Sequence, residues 1–151
     1  MPIPYSPITI VISAFLMGLA QQPLQLGWLA WFSLVPFIFV LNRITFLTHF
    51  LIAGFIWGCT YYLTVIFWLA FNIGTTPVIS TISMVAAVLY CSFNIVFICM
   101  FMKILKNIFP NRWYWLFPFV WITIEYLRNM DLLTGGPWTA LANTQIDFLT
   151  L

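Results

Sequence analysis

An all-α, polytopic transmembrane helical bundle of about five spans, with the start of a sixth, is the fold class this sequence predicts. Three observations predict it. Charged residues make up 5% of the 151 positions and hydrophobic residues 64%, against roughly 25% charged in soluble domains. Mean hydropathy is +1.06. The apolar residues come in long runs without strand-like alternation, and in hydrocarbon such runs satisfy their backbone amides as helices. A soluble chain needs a polar shell, yet formal charge rests on Arg43, Lys103, Lys106, Arg112, Arg128, Glu125, Asp131 and Asp147 alone. Lipid is therefore the outer solvent.

Residues 8–20 form the first apolar run, short for a bilayer that takes about 20 helical residues. The second, 24–41, contains Gly27 and Pro36, so the two are expected to form a tilted or kinked pair. Gln21-Gln22-Pro23 supplies the turn between them. Gly18-Leu19-Ala20 before Gln21 has the small-residue look of a signal-peptide cleavage site, but no Lys or Arg precedes Arg43, and the run is read as a retained helix. A basic loop follows at 42–48. Spans 49–71 and 78–102 are joined by 72–77, where Asn72, Gly74 and Pro77 stop helices. A second basic loop, 103–112, leads to a span at 113–130 that opens with Trp113, Tyr114 and Trp115, in the manner of an interfacial aromatic belt. Gly135-Gly136-Pro137 ends regular helix. From 139 to 151 the chain restarts an apolar pattern and reads as cut short. All 151 residues make one transmembrane domain, with no soluble domain and no internal repeat.

Basic loops alternate with uncharged ones, which by the positive-inside rule puts Arg43, Lys103, Lys106, Arg112 and the N-terminus in the cytoplasm. Segments 21–23, 72–77 and 134–138 then share the opposite face. The net charge of +2 thus speaks of topology, and nucleic acid is not an expected partner.

Glu125 and Arg128, three residues apart near the outer end of the fifth span, are placed to form a neutralised pair on one helix face. The pair is either functional at membrane depth or interfacial, with Arg128 snorkelling. Thr134-Gly135-Gly136-Pro137-Trp138 cannot continue a helix; it either anchors at the headgroups or walls a lipid pocket. Gly54 and Gly58 form a GxxxG, the spacing that lets two helix backbones approach closely. Asn94 is expected to make an interhelical hydrogen bond, Trp57 and Trp68 to be core or belt residues, and His49 to be structural or interfacial. Cys59, Cys91 and Cys99 lie inside apolar runs and are read as small hydrophobes. No metal site, cofactor site or catalytic constellation is predicted, because no Cys, His or carboxylate ligands cluster and no nucleophile motif is present.

The order Leu34-Val35-Pro36, Gly54-Phe55-Ile56-Trp57-Gly58, Trp68, then Trp121-Ile122-Thr123-Ile124-Glu125-Tyr126-Leu127-Arg128, Leu133-Thr134-Gly135-Gly136-Pro137-Trp138 and Thr144-Gln145-Ile146-Asp147 resembles the N-terminal membrane region of bacterial apolipoprotein N-acyltransferases. The last three blocks are the specific part, although Gly136 stands where the family typically has Phe. The resemblance covers nearly all of this chain but about the first third of a family member, which continues into a nitrilase-like domain. It implies an inner-membrane protein concerned with moving an acyl chain from a phospholipid to the amino group of a lipoprotein's N-terminal cysteine. The family's Glu-Lys-Cys triad lies in the nitrilase-like domain, and no residue here matches it, so this chain alone is expected to be inactive. Membrane phospholipid, the lipoprotein substrate and a separately supplied nitrilase-like domain are the implied partners. By the resemblance, Glu125, Arg128, Trp138, Gln145 and Trp68 become candidates for shaping the lipid pocket or the seam with that domain. A second reading stays open: a non-enzymatic membrane scaffold that anchors a partner enzyme such as a glycosyltransferase.

Overall fold

The structure, a computed structural model, describes residues 6–21, 24–129 and 140–148. Every regular element among them is helical. Five α-helices follow in order: α1 Pro7–Ala20, α2 Ala30–Arg43, α3 Leu47–Ile66, α4 Pro77–Ile108 and α5 Phe117–Asn129. Short 3-10 segments precede α2 (Gly27–Leu29), extend α3 (Phe67–Phe71), precede α5 (Trp113–Leu116) and occupy Leu141–Phe148.

Local sequence explains the starts and stops. Proline stands at the first position of α1 and of α4, where its missing N–H would have no helical partner anyway. Thr76 caps α4, its side chain accepting from the Ile79 N–H at 3.4 Å. Pro118 sits second in α5. A proline fits most easily in a helix's first turn, and the span read at 113–130 divides into a 3-10 turn and an α-helix that begins at Phe117; Pro36, by contrast, stands inside α2. The run read at 24–41 likewise opens with a 3-10 turn, and its α-helix starts at Ala30. The loop read at 103–112 is corrected more substantially. No glycine or proline interrupts the chain between Pro77 and Ile108, so α4 continues through Lys103 and Lys106 for 32 residues, about 48 Å at 1.5 Å per residue. Two stretches, Leu47–Phe71 and Pro77–Ile108, are long and apolar enough to cross a membrane; Pro7–Ala20 and Gly27–Arg43 are shorter apolar helices.

α3 is the central element, packing most extensively on α4 and also on α1, which in turn covers α2. Glycines set the distances. A Cβ on Gly54 would lie 2.6 Å from Cys99 Sγ, and one on Gly58 would lie 3.0 Å from Ser92 Cα, so α3 and α4 touch nearly backbone to backbone. A Cβ on Gly18 would lie 2.6 Å from Thr64 Cβ, which makes the same close approach between α1 and α3.

Between the helices runs a column of rings. Trp57 stacks on Phe37 (5.3 Å between centroids) and on Tyr61 (5.1 Å), and meets the edge of Trp121 at 5.7 Å. Its indole N–H donates to Ser13 Oγ at 3.0 Å, and Ser13 donates onward to the Ser33 carbonyl. One tryptophan of α3 thereby joins α1, α2 and α5.

At one end of the bundle the Lys106 ammonium donates to the carbonyls of Leu41 (3.0 Å), Asn42 (2.7 Å) and Ile44 (2.9 Å). These close the C-terminal end of α2, where unpaired carbonyls and the negative end of the helix dipole favour a cation. Trp113 is fully buried here against Phe50, so of the three residues read as an aromatic belt only Tyr114 and Trp115 face outward.

Candidate functional site

The opposite end collects polar side chains in an otherwise apolar molecule. α1 delivers Gln21, α3 delivers Tyr61 and Tyr62, α5 delivers Glu125 and Arg128, and the 3-10 helix at Leu141–Phe148 delivers Thr144 and Gln145. Gln21 Nε2 donates to the Tyr61 hydroxyl at 3.0 Å and to the Ala140 carbonyl at 3.3 Å. Arg128 Nη1 donates to the Tyr62 hydroxyl at 2.9 Å, and the two tyrosine rings pack edge to face at 4.9 Å.

Glu125 and Arg128 do not form the ion pair their spacing predicts. Glu125 instead accepts the Leu141 backbone N–H at 2.9 Å, the role a capping carboxylate plays at a helix start. Arg128 turns away to Tyr62. The guanidinium is 4% exposed, and its Nε and Nη2 are buried with no hydrogen-bond partner among the described residues. Asn94 lies against the same cluster, but its amide donates to the Cys91 carbonyl of its own helix at 3.1 Å instead of crossing to another.

Gln145 fastens the last 3-10 helix to the start of α2. Its Nε2 donates to the Gly27 carbonyl and to Thr144 Oγ1, both at 2.9 Å, and its Oε1 accepts from the Trp31 indole at 3.3 Å. Trp68 stands apart, 58% exposed on the 3-10 extension of α3. Trp138 and the rest of the 134–138 segment lie outside the described residues.

Beside the polar cluster a groove of about 950 Å³ opens between α1, α3 and α4, lined by residues including Phe15, Leu19, Leu63, Val88 and Leu89. That volume is in the range of ligand sites, about 300–1,000 Å³. Its walls are largely apolar; the polar residues among them are Gln21, Thr60 and Thr64, and the two threonine hydroxyls donate to carbonyls of their own helix. The groove and the cluster thus share one side chain.

A family model, the apolipoprotein N-acyltransferase N-terminal domain, matches residues 13–151. The chain belongs to this family. No curated protein and no solved structure matches it. Membership, with two helices long enough to cross a bilayer, marks the chain as an N-acyltransferase-like membrane part of lipoprotein biosynthesis.

Cys99 is buried behind Gly54, and Cys59 lies on the wall of the apolar groove; neither is hydrogen-bonded to a base among the described residues. Sequence reasoning located Glu125, Arg128 and Gln145 but passed over Gln21, Tyr61 and Tyr62. Two phenols in succession near the end of an apolar run were the available signal, since a buried hydroxyl needs a partner and implies a polar neighbour on another helix.

Proposed function

We propose that this domain is the membrane-embedded, substrate-holding part of an apolipoprotein N-acyltransferase. It keeps a phospholipid acyl donor and a diacylglyceryl-modified lipoprotein in place for transfer to the lipoprotein's N-terminal cysteine, with a nitrilase-like domain supplying the chemistry. It is a multi-pass bundle of about five spans in the bacterial inner membrane. Its N-terminus and basic end face the cytoplasm, and the cluster around Gln21, Tyr62, Glu125 and Arg128 lies at the extracytoplasmic face.

The observation that carries this reading is the largely apolar groove whose Gln21 is hydrogen-bonded into that cluster. A phospholipid needs this pairing of an apolar slot for its chain and polar donors for its head. The Arg128 N–H groups that have no partner among the described residues are charged donors suited to a phosphate or carbonyl oxygen. The exposed large hydrophobics distributed over all five helices, Trp31, Phe39, Ile52, Val78 and Phe119 among them, support lipid as the surrounding solvent. On its own the domain carries no acyl transfer, since the family's reactive cysteine has no counterpart here.

The test is photo-crosslinking in vesicles with a phospholipid carrying a diazirine in one acyl chain, followed by peptide mapping. Labelling is expected to concentrate on the groove faces of α1, α3 and α4 and to fall severalfold in Leu63→Trp, which fills the groove. Labelling spread evenly over the apolar surface and indifferent to Leu63→Trp refutes the groove. In the same vesicles N-acylation of a diacylglyceryl lipopeptide is expected only when a nitrilase-like domain is added.

A further inference from the structure

Four of the five basic residues, Arg43, Lys103, Lys106 and Arg112, precede the first carboxylate in the chain, Glu125. The fold gathers them. Lys106 of α4 clasps the end of α2 beside Arg43, and the Trp113 indole N–H donates to Asn42 Oδ1 at 3.4 Å, which brings the neighbouring Arg112 to the same end. Glu125 is held at the other end, on the Leu141 N–H.

Against this basic junction lies a second groove, of about 490 Å³, between α2 and the start of α5. Its wall is apolar, built from Val35, Ile38, Phe39 and Pro118, with Trp115 and Asn42 at its margin. The Arg43 guanidinium stands 5.0 Å over the Phe39 ring, exposed, with no hydrogen bond among the described residues. Asn42 Oδ1 is occupied by Trp113, so the amide NH2 is the half left to donate. An apolar slot therefore ends in a guanidinium fork and an amide donor, inside a field of four cations.

We propose that this groove binds one anionic glycerophospholipid of the leaflet facing the basic end, its acyl chain along Ile38 and Phe39 and its phosphodiester on Arg43 and Asn42. Charge complementarity selects the occupant. A net-anionic headgroup meets attraction here, whereas the ammonium of a zwitterionic headgroup faces cations and finds no carboxylate among the described residues. The site lies at the far end of the bundle from Gln21 and Arg128, so it is no second view of the substrate groove. It rests on one part of the proposed function, that this end lies at a membrane surface.

The experiment is native mass spectrometry of the chain purified in dodecyl maltoside, with phosphatidylglycerol and phosphatidylethanolamine of identical chains offered at equal concentration. The wild-type protein is expected to retain phosphatidylglycerol at least fivefold better. Arg43→Gln is expected to lower that retention about fivefold, the size of one basic contact at a membrane surface, and to leave phosphatidylethanolamine unchanged. Lys103→Gln removes an equal charge from the same end without touching the groove, and is expected to stay within twofold of wild type. The proposal is overturned by equal retention of the two lipids, by a loss in Lys103→Gln as large as that in Arg43→Gln, by equal competition from glycerol phosphate, or by a dimer that excludes lipid from this face. Membrane fractionation separates the two failures: a chain in the soluble fraction sinks the membrane reading itself, and an integral chain without the lipid preference sinks this site alone.

Discussion

Gly54→Ala adds one methyl group where α3 meets α4. That Cβ would lie 2.6 Å from Cys99 Sγ, 3.1 Å from Cys99 Cβ and 3.3 Å from the Ile95 carbonyl oxygen. The thiol could move, but the carbonyl belongs to helical backbone and cannot yield without displacing α4. Overpacking of this kind costs about 1–3 kcal/mol, and replacing glycine by alanine inside a helix returns about 1 kcal/mol. A net loss of about 1 kcal/mol is therefore expected for Gly54→Ala. Cys99→Ala alone removes a buried sulfur and is expected to cost about 1 kcal/mol through the space it leaves. In the double variant the new methyl takes up the room vacated by the sulfur, so the two changes should couple favourably by about 1–2 kcal/mol. Reversible unfolding in mixed dodecyl maltoside and SDS micelles measures all three. A Gly54→Ala protein more stable by the full propensity gain, or a double variant additive to within about 0.5 kcal/mol, would falsify the close approach.

The remaining expectations use the same unfolding measurement. Tyr62→Phe removes the Arg128 hydrogen bond and is expected to cost about 1.5–3 kcal/mol, as for bonds to charged groups; a loss below about 0.5 kcal/mol refutes the assignment. Lys106→Gln cannot reproduce three donations to the α2 carbonyls and is expected to lose about 2 kcal/mol, with amide exchange faster at Ile44; unchanged exchange there rules out the clasp. Gln25 has φ of 49°, the left-handed region, so Gln25→Gly is expected to gain about 1 kcal/mol, and a loss of similar size would show that its side chain matters more than its backbone.

The helical class was legible because composition and unbroken apolar runs leave helix as the one way to pair backbone amides in hydrocarbon. Family membership was legible in the block from Trp121 to Arg128 and those that follow it. Several partnerships were not. Spacing alone put Glu125 beside Arg128, but a carboxylate takes whichever donor is nearest and best aligned, and the Leu141 N–H, sixteen residues away, arrives only through tertiary packing. Lys106 was read as loop because a cation near an apolar run suggests an end. Its ammonium is instead satisfied by carbonyls of a helix more than sixty residues earlier in the chain, which allows α4 to continue. Gly18 drew notice as part of a cleavage-like sequence; its contact with Thr64 gives a packing reason for a residue without a side chain there.

The Ser33–Ser13–Trp57 relay also bears on how the protein is made. α1 and α2 have fourteen residues each, about 21 Å of helix, less than a hydrocarbon core of about 30 Å. Each is short for a span of its own, and the two are tied to one another first: Ser13 Oγ donates to the Ser33 carbonyl, and Ser33 Oγ donates to Met17 Sδ and to the Ala30 carbonyl. The Trp57 indole emerges from the ribosome after both. Until it arrives, Ser13 Oγ lacks one donor and α1 has no wall of α3 to lie against. On the proposed membrane reading, a ribosome stalled before the Trp57 codon is expected to leave α1 and α2 extractable, because the Trp57 indole and the face of α3 that α1 packs on are still missing; a pair that already resists extraction there inserts without them.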